Sequence, residues 1–151
     1  MIYGNGMVGS AMLPLDSAKD IFFASGVSNS METSPSAFMR EKNLVEDALA
    51  LRISENLRFH YFSTTGVECL NDDSRAYFHH KKKIEDFLIQ EVPSHRLKIY
   101  RLPNVVGKSR NPHTLTNFVY TSIQSGQSHK LLLDAKRELL DVSDLAKSVR
   151  E

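Results

Sequence analysis

Met1-Ile2-Tyr3-Gly4-Asn5-Gly6-Met7-Val8-Gly9-Ser10 opens the chain, and the reading of this stretch decides the fold. A short apolar stub runs into three glycines spaced Gly4-x-Gly6-x-x-Gly9, and Ser10-Ala11-Met12-Leu13 follows. The pattern is a strand end, a glycine turn and a short helix start, interrupted at Pro14. The spacing is that of a dinucleotide fingerprint, in which missing side chains let the backbone approach a pyrophosphate. A tight strand-to-helix turn with no ligand has the same residues. The fingerprint also expects an acidic residue on a second strand about 20 residues on. Asp16 and Asp20 are nearby, but neither ends such a strand; Asp20 begins the next apolar run.

Working outward, Ile21-Phe22-Phe23-Ala24 is short, apolar and bounded by Ser25-Gly26, which predicts a buried strand. A Ser- and Asn-rich loop from Ser28 to Pro35 leads to a helix from Ser36 to about Arg52, with Phe38, Leu44, Val45, Ala48 and Leu49 at helical spacing. Phe59-His60-Tyr61-Phe62 predicts a second strand, ending in Ser63-Thr64-Thr65-Gly66. A helix is expected from Tyr77 to Gln90, and a third strand over Leu97–Leu102. Thr114 to Ser125 predicts a helix stopped by Gly126, Leu131-Leu132-Leu133 a fourth strand, and Asp141 or Ser143 the cap of a last helix through Val149.

Alternating strands and helices predict an α/β fold with a parallel sheet covered on both faces. Ligands collect at the C-terminal ends of such strands. Gly4–Gly9, Ser25–Asn29, Ser63–Thr65 and Pro103–Gly107 are therefore expected to converge on one crevice.

The bulk properties exclude several classes. The 151 residues suit one domain, spanning residues 1–151, and the net charge of +1 gives no overall field for nucleic acid or anionic membrane. Cys69 is the only cysteine, so no internal disulfide forms. The apolar runs are too short to span a membrane, and the N-terminus lacks the features of a signal peptide, so a cytoplasmic protein is expected.

Tyr77-Phe78-His79-His80-Lys81 places a phenol and an ammonium four residues apart on one helix face. A fixed cation beside a tyrosine favours the phenolate and lowers its pKa. A tyrosine so tuned serves as acid or base for a carbonyl/alcohol pair, and Thr64 offers a hydroxyl to the same oxygen. Taken alone, a packed tyrosine ring and a solvated lysine explain the spacing better; the order of the surrounding elements changes that. Of Lys81-Lys82-Lys83, one lysine is expected to work while two face solvent. The adjacent His79 and His80, even with His60 or His113, lack the spacing of metal ligands, so no metal is expected.

The order of these motifs resembles the extended short-chain dehydrogenase/reductase family, which includes sugar-nucleotide epimerases, reductases and dehydratases. Gly6-Met7-Val8-Gly9-Ser10 resembles its glycine loop, Phe23-Ala24-Ser25-Gly26-Val27 its next cofactor-lining strand end, and Asn43-Leu44-Val45 the start of its central helix. Phe62-Ser63-Thr64-Thr65-Gly66-Val67 resembles the strand end that supplies an active-site hydroxyl, and Tyr77 and Lys81, followed by Glu85, the Tyr-x-x-x-Lys pair. Arg101-Leu102-Pro103-Asn104-Val105-Val106-Gly107 and the segment Arg137–Ala146 resemble its later Arg/Asn and Arg/Asp motifs.

The resemblance implies a Rossmann-like sheet reduced in strand number. It also implies a truncated remnant of the substrate domain, with about residues 108–151 resembling its start. Tyr77 would be the acid/base, Lys81 would bind the nicotinamide ribose and tune Tyr77, and Thr64, with Ser63 or Thr65 in reserve, would supply the hydroxyl. Gly4, Gly6, Gly9, Ala24 and Pro103 would line NAD or NADP, and Asn104 and Arg137 would address a nucleotide-sugar diphosphate. A homodimer through the helices flanking the sheet is also implied, with no nucleic-acid or membrane partner.

The departures shape two expectations. Tyr3 replaces the family's first glycine, and residues 10–19 stand where two further strands and a helix, with the adenosine-binding acid, are usual. The 13-residue interval from Thr64 to Tyr77 is short, and Thr65 and Gly66 occupy the acid pair of the dehydratases, which disfavours dehydration. The first expectation is an NAD(P)-dependent sugar-nucleotide reductase or epimerase, usual in surface-polysaccharide precursor synthesis. The alternative is a catalytically weak or inactive binding or partner protein that has lost the adenosine-binding segment.

Overall fold

A computed structural model describes residues 1–55, 57–128, 134 and 136–150. Four parallel strands form the main sheet in sequence order: β1 (Ile2–Tyr3), β2 (Asp20–Phe23), β3 (Arg58–Thr64) and β4 (Leu97–Leu102). The register pairs Phe22 with His60 and Tyr61 with Ile99. The connecting helices are α1 (Met7–Ala11), α2 (Pro35–Glu55) and α3 (Ala76–Glu91). The expected elements thus form, with ends that match or shift by one to three residues.

Alternation along the strands builds two cores. Ile21, Phe23, Phe59 and Tyr61 point to one face and pack on Val45, Ala48 and Leu49 of α2 and Ile84 and Leu88 of α3. Phe22 and Phe62 point to the other, against Met12 and Leu145. Leu145 belongs to α5 (Val142–Arg150), so helices cover both faces, as the pattern predicts. Phe59 is fully buried, and its truncation to alanine would cost about 3–5 kcal/mol.

A second, two-stranded parallel sheet, β5 (Asn104–Val106) with β6 (Leu139–Asp141), has no counterpart in the sequence reading. Three-residue strands are too short to carry a readable alternation. Between them lies α4 (Leu115–Gln124), whose Thr114 side chain accepts from Asn117 N–H at 3.4 Å. Asp141 provides the cap of α5, its Oδ1 accepting from Ser143 N–H at 2.7 Å. The expected strand at Leu131-Leu132-Leu133 lies outside the described residues. Among the described residues no strand pairs with the outer side of β1, so β1 is an edge. None of the described helices is long and apolar enough to cross a membrane.

Candidate active site

The glycine turn is built by close approach. Gly4 has φ +111°, and a Cβ there would lie 2.4 Å from the Ala24 carbonyl oxygen. A Cβ on Gly9 would lie 2.3 Å from the Gly4 oxygen. These two glycines therefore let β1, α1 and the end of β2 meet. Gly6 differs: a Cβ on it would meet nothing within 4 Å. Internal packing does not require glycine there, and the position faces open space.

That space is a cleft of about 1730 Å³ at the C-terminal ends of the strands. Gly4, Gly6, Ala24, Thr64, Tyr77, Lys81, Pro103, Asn104 and Arg137 all line it, which brings together every expected site residue except Gly9. Gly9 is buried behind Gly4. Seven lysine and arginine side chains line the cleft and one acid, Glu138. With a net charge of only +1 for the whole chain, this concentrates positive potential where a polyanion would bind.

Tyr77 is 8% exposed, and among the described residues its hydroxyl makes no hydrogen bond. Thr64 ends β3, and its Oγ1 accepts from Gly66 N–H at 3.3 Å. The Thr64 hydroxyl proton is thereby left to donate toward the cleft. Ser63 also lines the cleft, and its buried Oγ has no hydrogen-bond partner among the described residues.

Lys81 departs from the expected arrangement. Its ammonium does not bond to Tyr77 but donates to Glu41 Oε1 at 2.8 Å and to Tyr61 OH at 3.2 Å, and it lies 5.9 Å from the Tyr77 ring centroid. Tyr61 OH donates to the same Glu41 oxygen at 2.8 Å, while Glu41 Oε2 accepts from Val27 N–H at 2.7 Å and bonds His80 Nε2 at 3.0 Å. Burial would raise the Glu41 pKa, but the charge of Lys81 and the hydrogen bonds from His80, Lys81 and Val27 outweigh it and bring it down to about 2. The Tyr77 phenol is pushed up, by burial first and by the Glu41 charge second. The expectation that Lys81 lowers it is thus corrected: Glu41 neutralises that cation and adds an anion of its own.

Asn104 donates its amide to the Glu138 carbonyl oxygen at 3.3 Å, so its side chain ties β5 to the approach of β6. Arg137 is exposed on the cleft wall. Glu85 is fully buried and binds Arg101 at 2.7 Å, joining α3 to β4. Lys82 pairs with Asp86 and Lys83 is exposed. No group of three or more potential ligand side chains is placed to hold a metal among the described residues.

Sequence reasoning passes over Glu41, reads Tyr61 only as part of a strand and weighs His80 only as a metal ligand. A signal for Glu41 was present. It lies four before Val45 and seven before Ala48, inside the apolar stripe of α2, and a carboxylate there needs a buried partner.

No protein-family model matches the chain, and no curated protein does either. Solved structures do match. DesIV double mutant, a dTDP-glucose 4,6-dehydratase from Streptomyces venezuelae with NAD and DAU bound, superposes with a TM-score of 0.64 at 15% identity, over 94% of this chain and 50% of that one. L-threonine dehydrogenase from Phytophthora infestans gives 0.64 at 16% identity, over 93% and 53%. The capsular polysaccharide assembling protein CapF from Staphylococcus aureus gives 0.58 at 15%, over 95% and 37%. At such identities the likeness establishes the fold, a Rossmann-like α/β sheet with few strands. The chain spans about half the length of the first of these structures.

Proposed function

We propose that this chain carries the catalytic core of an NAD(P)-dependent reductase or epimerase acting on a sugar nucleotide. The observation that carries the reading is the convergence of Thr64, Tyr77, Lys81 and the open Gly6 position on one strongly basic cleft. The basic lining suits the phosphates of a dinucleotide and a nucleotide sugar, and Gly6 leaves room for a backbone-to-phosphate approach. The nicotinamide end of NAD or NADP would lie by Lys81, Ala24 and Pro103, and Asn104 and Arg137 would face the sugar nucleotide.

The bound cofactor supplies or accepts the hydride. Tyr77, kept protonated by its surroundings, donates its proton to the substrate carbonyl oxygen as the carbon is reduced. Thr64 donates a hydrogen bond to the same oxygen, stabilising the charge that develops there. Dehydration is disfavoured because Thr65 and Gly66 offer no acid where the dehydratases carry an acid pair.

A second reading, a catalytically weak binding or partner protein, is favoured by the edge position of β1. No neighbouring strand brings an acidic residue to an adenosine ribose among the described residues. The two readings separate by NADH and NADPH oxidation in the presence of keto-sugar nucleotides. Turnover abolished by Tyr77→Phe supports the enzyme. Cofactor or sugar-nucleotide binding without turnover in any combination supports the binding protein.

A further inference from the structure

We propose that Glu41 is the positioning residue of this site: its carboxylate, buried beneath the cleft, fixes the Lys81 ammonium at the cleft floor, where a nicotinamide ribose would meet it. The proposal rests on the cofactor-binding reading above and deepens it.

Glu41 is fully buried and Lys81 is 3% exposed. A buried ion pair is a weak source of net stability, because desolvation opposes the attraction. This one lies between α2 and α3 and is surrounded by matched partners. Tyr61 reaches it from β3, His80 from the turn of α3 that also carries Lys81, and Val27 N–H from the loop after β2. Glu85, the other buried acid nearby, is engaged by Arg101. Tyr77, on the same helix as Lys81, faces the cleft.

The loop has been shaped to the pair. A Cβ on Gly26 would lie 2.5 Å from Glu41 Oε1 and 2.6 Å from Lys81 Nζ, so only glycine leaves room for both. Each of the four Glu41 contacts constrains where the ammonium sits, and Lys81 still lines the cleft. The ammonium has three donors. Two are bonded, to Glu41 and Tyr61, and one is left for a ligand hydroxyl.

The test has two arms. In ¹⁵N-lysine-labelled protein, with the Lys81 signal assigned through Lys81→Met, the wild-type ammonium protons are expected to exchange slowly with water at neutral pH. In Glu41→Gln they lose that protection. Equal protection in both proteins overturns the proposal, and this arm needs no cofactor. In the second arm NADH is titrated from pH 6 to 9. Wild-type affinity is expected to change less than twofold. In Glu41→Gln the ammonium is no longer held by its charged anchor, so affinity falls at least tenfold below wild type over this range, and adding Lys81→Met lowers it no further. A flat profile at wild-type affinity in Glu41→Gln overturns the proposal.

Should Glu41→Gln fail to fold, Gly26→Ala keeps every charge while crowding the pair. Loss of Lys81 protection there supports the proposal and wild-type protection overturns it. Absence of NADH and NADPH binding in wild type counts against the oxidoreductase reading alone, since the exchange arm still decides the role of Glu41.

Discussion

Two of the three buried carboxylates among the described residues, Asp20 and Glu41, have similar partners and different surroundings. Asp20, at the start of β2, accepts from Arg58 at 2.7 and 2.9 Å and from Ser17 at 2.5 Å, and bonds His60 Nε2 at 2.9 Å; His60 Nδ1 lies 3.0 Å from Tyr100 OH. In the Glu41 cluster a lysine, a histidine and a tyrosine all bond the carboxylate directly, whereas Tyr100 reaches Asp20 only through His60. In the Asp20 cluster the cation faces solvent, with the Arg58 side chain 56% exposed, and the cluster sits at the N-terminal ends of the strands, away from the cleft. In the Glu41 cluster the cation is buried and forms the cleft floor. The same chemistry pins the sheet in one place and presents a charge in the other.

The comparison can be broken in graded ways. Tyr77→Phe removes the proton-carrying group above the Glu41 cluster, and turnover is expected to fall by about 10²–10⁴-fold. Because the hydroxyl has no hydrogen-bond partner among the described residues, the denaturation midpoint should barely move. Asp20→Asn gives the opposite pattern. Stability falls by about 2–4 kcal/mol in denaturant titration, because Arg58 and His60 lose a charged acceptor, while NADH affinity is unchanged.

Acid sharpens the comparison further. Both carboxyls have depressed pKa values in the fold, Asp20 because hydrogen bonds from Arg58, Ser17 and His60 outweigh the effect of its burial. A depressed acid contributes stability above its unfolded pKa and loses it as pH falls through the folded value. For Glu41 that window runs from 4.5 to about 2, and its contribution is on the order of 3 kcal/mol. Chemical denaturation of Glu41→Gln/Lys81→Met should show a shallower decline across this window than wild type. The smallest effect is expected at Gly6. Its φ of −75° suits any residue, so Gly6→Ala should raise stability by about 0.4–1 kcal/mol. The same methyl group, facing the cleft, should weaken NADH binding measurably by calorimetry.

Much of this architecture was legible before the structure. The glycine turn, the apolar runs at Ile21–Phe23 and Leu97–Leu102 and the helical stripes of α2 and α3 are long or strongly patterned, and each formed where expected. The crevice at the strand ends follows from strand order, whereas the place of Thr64, Tyr77 and Lys81 in it rests on the resemblance. What escaped was partnership. Sequence spacing relates residues on one helix and so pairs Lys81 with Tyr77, whereas its partner Glu41 lies 40 positions earlier on another. His80 was weighed only as a metal ligand, although its stacking on Phe38, with centroids 4.5 Å apart, and its bond to Glu41 make it part of the buried network. The β5–β6 pair escaped because it joins two three-residue segments across α4.

The most direct measurement is calorimetric titration of NADH and NADPH into wild type, Lys81→Met and Asp20→Asn. Saturable binding of one cofactor to wild type and Asp20→Asn alike, weakened at least tenfold in Lys81→Met, is the predicted result. No binding to wild type at millimolar cofactor, or equal binding to wild type and Lys81→Met, would contradict the assignment of the cleft.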